Sequence, residues 1–274
     1  MTFDRFVAID WTGAVGERHR AIAVAIADTG TAAPKLLTRD RAWSRAEVFD
    51  LIAGFSARDE RTLIGIDASF ALPFTDSAAF FPGDPSPPDA RSLWAEVAAI
   101  AADDPFHAAH AYVAHRRRHF WTGVADGPRA DRARLRVVER RKGSPASCFV
   151  LLGASQCGKA SLSAMRLLAK TPVPVWPFDP LPATGPVLAE IYCAVFAAAA
   201  GVRGKIRDRA TLDAALARLG SAPTQDLPYT FADHIGDALI SAAGMRAAAV
   251  DPAVWHPAGL DQVCHTEGWT FGVA

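Results

Sequence analysis

The stretch RFVAID, Arg5–Asp10, runs directly into Trp11-Thr12-Gly13 and reads as a short apolar strand that ends in an acid and is broken by a turn. Its counterpart is TLIGID, Thr62–Asp67, a second buried-type run closing on the same Ile-Asp pair. Desolvating a carboxylate is costly unless something compensates, so two acids at the ends of two such runs ask for a shared explanation. If the strands lie side by side and parallel, Asp10 and Asp67 emerge at one edge of the sheet. That is where open α/β sheets place their ligands.

Working outward, HRAIAVAIA (19–27) reads as a second strand and residues 35–38 as a third. Ser44 with Glu47 three residues later forms a capping-box signal, and Val48, Leu51, Ile52 and Phe55 share one face, so a helix follows. The expected order is three adjacent strands, a helix, then a strand returning beside the first. Residues 71–90 hold six prolines or glycines and read as a loop. Helices are predicted over 91–102, 105–120, 160–170, 208–219 and 231–249, with another, Ala-rich, after the apolar run VLAEIY (187–192). Strands are predicted over 148–153 and 268–273, and the proline-rich 173–186 is expected to be extended or irregular. The predicted fold is α/β: a mixed sheet flanked by helices in one domain, with a mainly helical insertion after the fourth strand, about 74–145.

Half of the 274 residues are apolar, ample surface to offset the entropy of ordering, which excludes a disordered or fibrous chain. Cys148, Cys157, Cys193 and Cys264 contain no C-x-x-C, so zinc-ribbon and disulfide-scaffold readings fall, and reduced thiols of a cytoplasmic protein are expected. No charged segment followed by an apolar stretch opens the sequence, so no secretory signal is expected. The apolar stretches are far shorter than the roughly 18 residues a membrane span needs, so no membrane partner is expected.

Lys plus Arg balances Asp plus Glu over the whole chain, yet residues 115–142 carry a net charge of +7. Local charge of that kind attracts phosphate. Arg116, Arg117, Arg118, Arg140, Arg141 and Lys142 are therefore candidates for positioning a nucleic-acid backbone without reading sequence. The alternative is a solvated helical face.

Further acids join Asp10 and Asp67. Glu190 sits inside the apolar run 187–192, and Asp233 and Asp237 are four apart on one helix face. Carboxylates gathered at one edge repel, and a hard divalent cation, Mg²⁺ or Mn²⁺, relieves the repulsion. Two such ions would activate water and stabilise a leaving oxygen in phosphodiester hydrolysis. Each acid also has an ordinary alternative: Asp10 and Asp67 as turn caps, Glu190 as an arginine partner, Asp233 and Asp237 as solvent-facing helix acids.

The segments FVAIDWTG (6–13), IGIDASFALP (64–73), SCFVLLGASQCGKASL (147–162), VWPFD (175–179), AEIYCAVF (189–196), DHIGDALISA (233–242) and EGWTFGV (267–273) resemble, in order along nearly the whole chain, a bacterial and archaeal domain-of-unknown-function family described as predicted nucleases of RNase H fold. The resemblance implies an RNase H-like fold. It also implies a metal-dependent nuclease or phosphodiesterase with Asp10, Asp67, Glu190 and Asp237 as catalytic and metal-binding residues and Asp233 as an alternate ligand. Members of that family often carry proline where this chain has Cys193.

Two other phosphate signals compete. Asp10-Trp11-Thr12-Gly13 is similar to the first phosphate loop of actin-like ATPases and sugar kinases, making Thr12 and Gly13 candidate phosphate contacts, but no second copy of the domain is visible. Residues 153–159 fit G-x-x-x-x-G-K, with Lys159 as the candidate phosphate ligand; the next residue, Ala160, lacks the hydroxyl a P-loop uses for Mg²⁺. His107, His110, His115 and His119 crowd one segment, but intervening arginines would repel a cation, so no metal is expected there. Ser69 follows an acid without any G-x-S-x-G context and is a candidate substrate contact, not an acyl-transfer nucleophile. Two classes therefore stand: a metal-dependent hydrolase, and a module that binds a nucleotide or nucleic acid without cutting it.

Overall fold

The computed structural model describes residues 2–141, 146–153 and 157–274. Its centre is a six-stranded mixed sheet built from β1 (Arg5–Asp10), β3 (Ala23–Asp28), β4 (Lys35–Leu36), β6 (Thr62–Asp67), β7 (Val175–Trp176) and β8 (Val187–Glu190), in the spatial order β4-β3-β1-β6-β8-β7. The strands β2 (Arg18–His19) and β5 (Trp43–Ser44) form a separate two-stranded ribbon. β3 runs antiparallel to β1 and β4 antiparallel to β3, whereas β6, β8 and β7 continue the sheet parallel to β1. In the β1–β6 pair Asp10 stands opposite Asp67, and in the β6–β8 pair Ile66 stands opposite Glu190.

Helices cover both faces, and the central strands are accordingly apolar along their whole length. On one face Val7, Ile9, Ile64 and Ile66 pack with α1 (Arg45–Ser56), α2 (Ala90–Ile100) and α5 (Gly158–Leu168). On the other, Phe6, Ala8, Ala25 and Ala189 pack with α6 (Cys193–Ala199), α7 (Arg209–Arg218) and α8 (Asp233–Ala248). The small residues on this second face let α8 lie close. A Cβ on Gly65 of β6 would stand 2.8 Å from the Met245 sulfur, and one on Gly244 of α8 would stand 2.5 Å from the Phe196 ring.

β1 and β6 begin and end where the sequence reading puts them, and Ser44 caps α1 with the full capping box. Four expectations are corrected. The 19–27 strand is two pieces, β2 and β3, separated by a turn. Residues 148–153 form turns with a single bridge, Trp121 to Val150, and 268–273 are turns anchored by the Phe271 amide donating to the Glu190 carbonyl at 2.8 Å. The predicted helix over 105–120 is a 3-10 turn at Pro105–His107, with positive φ at Phe106 and His107, followed by α3 (His110–His115). Buried arginines cause that break by capturing carbonyls a helix would use. Arg45 donates to the Phe106 carbonyl at 2.7 Å, and Arg166 donates to those of Asp104 and Ala108.

The segment between β6 and β7 also carries α4 (Val137–Arg140) and packs its Phe81, Trp94 and Phe149 into the same apolar cluster as Val7 and Ile64. It is clasped to the C-terminal end of β8 by one buried ion pair: the Arg136 guanidinium meets both Glu190 oxygens, at 2.6 and 2.8 Å. Glu190 also accepts from the Phe70 amide and the Thr270 hydroxyl, while Glu267 accepts from the amides of Phe74, Thr75 and Val137. Removing one member of such a pair strands a buried charge. Arg136→Met is therefore expected to cost about 3–5 kcal/mol of unfolding free energy in urea titrations. The double variant with Glu190→Gln should lose less than the sum of the two single changes.

Candidate metal and phosphate site

Parallel pairing delivers Asp10 and Asp67 to one edge of the sheet as neighbours. Directly after β8 the chain turns into α6, whose first residue, Cys193, donates its backbone amide to Asp67 Oδ2 at 3.2 Å. Ligand atoms of Asp10, Asp67 and Cys193 all lie within 4.8 Å of one another. α8 adds Asp237, a buried acid that pairs with the Lys205 ammonium at 2.5 Å. One turn earlier on α8, Asp233 sits at the rim, held by Arg207 at 3.2 Å.

Electrostatics show how crowded this corner is. Burial first, then the charges of Asp67 and Asp237, push the Asp10 carboxyl from 3.8 up to about 8, with Lys205 offsetting only part of the rise. Asp67 is raised to about 6, mainly by burial and partly relieved by the hydrogen bonds from Cys193. The Cys193 thiol is pushed up by burial and by the three surrounding carboxylates. Lys205 is raised because the hydrogen bond to Asp237 and the nearby acids outweigh its burial. Among the described residues the Asp10 carboxylate has no hydrogen-bond or ion-pair partner. Negative charge thus exceeds its compensation, the condition under which acids hold either a proton or a cation. Carboxylate oxygens suit hard ions such as Mg²⁺ or Mn²⁺ and the thiol suits softer ones, so the donor set fits a divalent cation without selecting one.

Of the predicted metal ligands, Asp10 and Asp67 come together; Asp237 acts on both through its charge but is not among the clustered ligand atoms, and Asp233 lies at the edge. Glu190 is corrected: although next to Asp67 in the sheet, its oxygens are engaged by Arg136, Phe70 and Thr270, making it the anion of the clasp rather than a ligand.

The basic window is corrected too. Arg116 is buried, bonded to Glu96 at 2.6 Å and stacked over Phe81. Arg117 pairs with Asp126 at 2.7 Å, Arg118 with Asp84 at 2.5 Å, and Arg140 approaches Asp76 at 3.9 Å. Arg141 lies over the Trp269 ring. Most of these cations are thus paired with acids of the same chain, although Arg117, Arg118, Arg140 and Arg141 keep exposed side chains, so the window is in part internal scaffolding and in part a solvated face. Lys142 lies outside the described residues.

The remaining candidates surround the Asp10 turn. Arg45, buried, donates to the carbonyls of Thr12 and Ala14, which fixes that turn, and the Thr12 hydroxyl accepts from the Ala14 amide. Gly13 presses on the start of α5 so closely that a Cβ there would lie 2.3 Å from the Ala160 nitrogen. Gly13 and Lys159 line a cavity of about 180 Å³; Asp67, Ser69, Cys157 and Tyr192 line a second of about 100 Å³. Of the G-x-x-x-x-G-K stretch, residues 154–156 lie outside the described residues, and no strand precedes it among those described. Of the clustered histidines, His119 bonds Asp84 at 2.8 Å and His110 lines the larger cavity. Lys205 and Arg136 were not singled out from the sequence; a lone lysine in a loop carries no pattern, and Arg136 was hidden inside a run of arginines.

No protein-family model, no curated protein and no solved structure matches this chain.

The raised Asp10 pKa sets a pH dependence. Between about pH 4 and pH 8 the folded protein keeps a proton on Asp10 that the unfolded chain has released, so metal-free protein loses stability as pH rises through that window. Asp10→Asn removes the effect. In thermal melts with EDTA the variant should melt several degrees above wild type at pH 8, the gap closing toward pH 4; an equal gap at both pH values would refute this origin.

Proposed function

We propose that this chain is a metal-dependent phosphoester hydrolase on an RNase H-like sheet, with Asp10, Asp67 and Asp237 as its ligand-bearing carboxylates. The observation that carries the reading is the in-register pair Asp10–Asp67, half-buried near a third acid, Asp237, whose counter-charge is the Lys205 ammonium. The strand order supports it: an antiparallel β1–β3–β4 meander, then a parallel strand returning next to β1, is the order expected from the residues themselves. Bound there, Mg²⁺ or Mn²⁺ would neutralise the carboxylates and lower the pKa of a coordinated water. The residues themselves supply the rest. Asp10 and Asp67 are held rigidly by sheet pairing, Cys193 fixes the Asp67 rotamer through its amide, and Lys205 holds Asp237 by a direct ion pair.

The sequence pointed to nucleic acid as the substrate through its basic window. With those arginines engaged by the chain's own acids, we favour a small phosphate ester over a polymer. A second reading, a module that binds without cutting, is favoured by the Lys205–Asp237 contact, since a resident ammonium is itself a counter-charge for the site.

Mn²⁺ titration followed by electron paramagnetic resonance, together with hydrolysis of bis(p-nitrophenyl) phosphate, separates the two. The hydrolase binds Mn²⁺ and turns over; Asp10→Asn loses at least about a hundredfold in rate with its fold intact, and Lys205→Ala tightens Mn²⁺ binding about tenfold by removing a competing cation. Wild-type protein that binds no Mn²⁺, with or without Lys205, would leave the non-catalytic module.

A further inference from the structure

The larger cavity is lined by Gly13, three residues beyond the end of the strand bearing Asp10. Ala109, Val113, Leu151 and Leu162 give it aliphatic walls, while Lys159 and His110 supply its polar edge. Lys159 is half-buried, and among the described residues its ammonium has no hydrogen-bond or ion-pair partner. Other cations around this site, Arg45, Arg166 and Lys205, are all engaged by carbonyls or acids. An unpaired ammonium at the lip of an apolar cavity is complementary to an anion attached to an apolar group.

Size narrows the apolar group. An aliphatic cavity of ~150 Å³ takes one benzene ring, and this one measures about 180 Å³. It has room for one flat ring, and none for a polymer. Its walls are held in advance of any ligand: Arg45 ties the turn at Thr12 and Ala14 to the Phe106 carbonyl, and Arg166 ties down the carbonyls of Ala102, Asp104 and Ala108. Preorganisation of this kind lowers the ordering cost of binding. The Thr122 and Ser163 hydroxyls on the wall are already bonded to Asp126 and to Trp11 and Ala160, so the cavity offers a ring mostly apolar contact.

We propose that this cavity is a binding site for the ring of a small aryl- or heterocycle-bearing phosphate monoester, with the phosphate on Lys159 and turned toward the Asp10 turn. Gly13, three residues after Asp10, lines the cavity and packs directly on the backbone of Lys159 and Ala160, which sets the ring site beside the turn that follows Asp10. The proposal rests on the hydrolase reading for its choice of phosphate as the anion, and it specifies that reading's substrate class.

The test is a titration of the full chain with phenyl phosphate and with inorganic phosphate, by ligand-observed NMR, in Mg²⁺ and again in EDTA. Phenyl phosphate should bind about tenfold tighter than inorganic phosphate, the difference reporting the buried ring. Val113→Phe fills the cavity and should erase that preference while leaving inorganic phosphate binding unchanged. Leu152→Trp, at a partly exposed lining position, does the same should Val113→Phe fail to fold. Lys159→Ala should weaken both ligands about tenfold. Equal binding of the two phosphates by wild type, or a phenyl preference that survives both cavity variants, overturns the proposal even where Mn²⁺ binding and hydrolysis stand. A phenyl preference that persists in EDTA, in protein that binds no divalent cation, upholds the ring site while the hydrolase reading falls.

Discussion

Everything at the acidic edge follows from one pairing. β1 and β6 run parallel and in register, residue against residue, so the acids that end them cannot avoid each other. Parallel strands require a crossover, which α1 supplies, and the capping box at Ser44 starts that helix at a defined residue. A slip of one residue in the pairing would send either Asp10 or Asp67 to the opposite face. The apolar alternation of Val7 and Ile9 against Phe6 and Ala8, each side buried under its own helices, forbids that slip. Core packing thus enforces a juxtaposition of charge that electrostatics alone would reject.

Sheet centre and edge were legible because they rest on local signals. RFVAID and TLIGID are short, apolar and bounded, and the structure keeps both sets of limits. The misread elements share a physical cause. Residues 105–120, 148–153 and 268–273 have the composition of helix or strand, but their backbone groups are claimed by partners far away in sequence: Arg45 and Arg166 in the first case, Trp121 in the second, Glu190 in the third. Propensity does not report such long-range capture. For the site, Asp10, Asp67 and Asp237 could be picked out because their positions at strand ends and on a helix face are periodic properties. Glu190 occupies an equally suggestive position, but it stands opposite Ile66, on the other face of the sheet from Asp67, and an arginine 54 residues earlier in the chain binds it there.

The same long-range arginines dissolve the charge asymmetry that the sequence displays. A window of net +7 in a neutral chain invites an external polyanion, yet seven of its nine arginines answer acids at 76, 84, 96, 126, 139 and 190 of the same molecule. Charge counted along a chain and charge available at a surface are different quantities. Here folding converts the first into internal cross-links.

This use of guanidinium explains a compositional imbalance and gives it a meaning. The chain has 24 arginines and only five lysines. Arg45, Arg136 and Arg166 each bind two or more separate oxygens at once, something a planar fork does and a point-like ammonium on a swinging stem does poorly. Two of the rare lysines, 159 and 205, stand beside the cavity and the carboxylates. The molecule thereby divides its cations by mobility: forks where the backbone is immobilised, and single swivelling charges beside the cavity and the carboxylates.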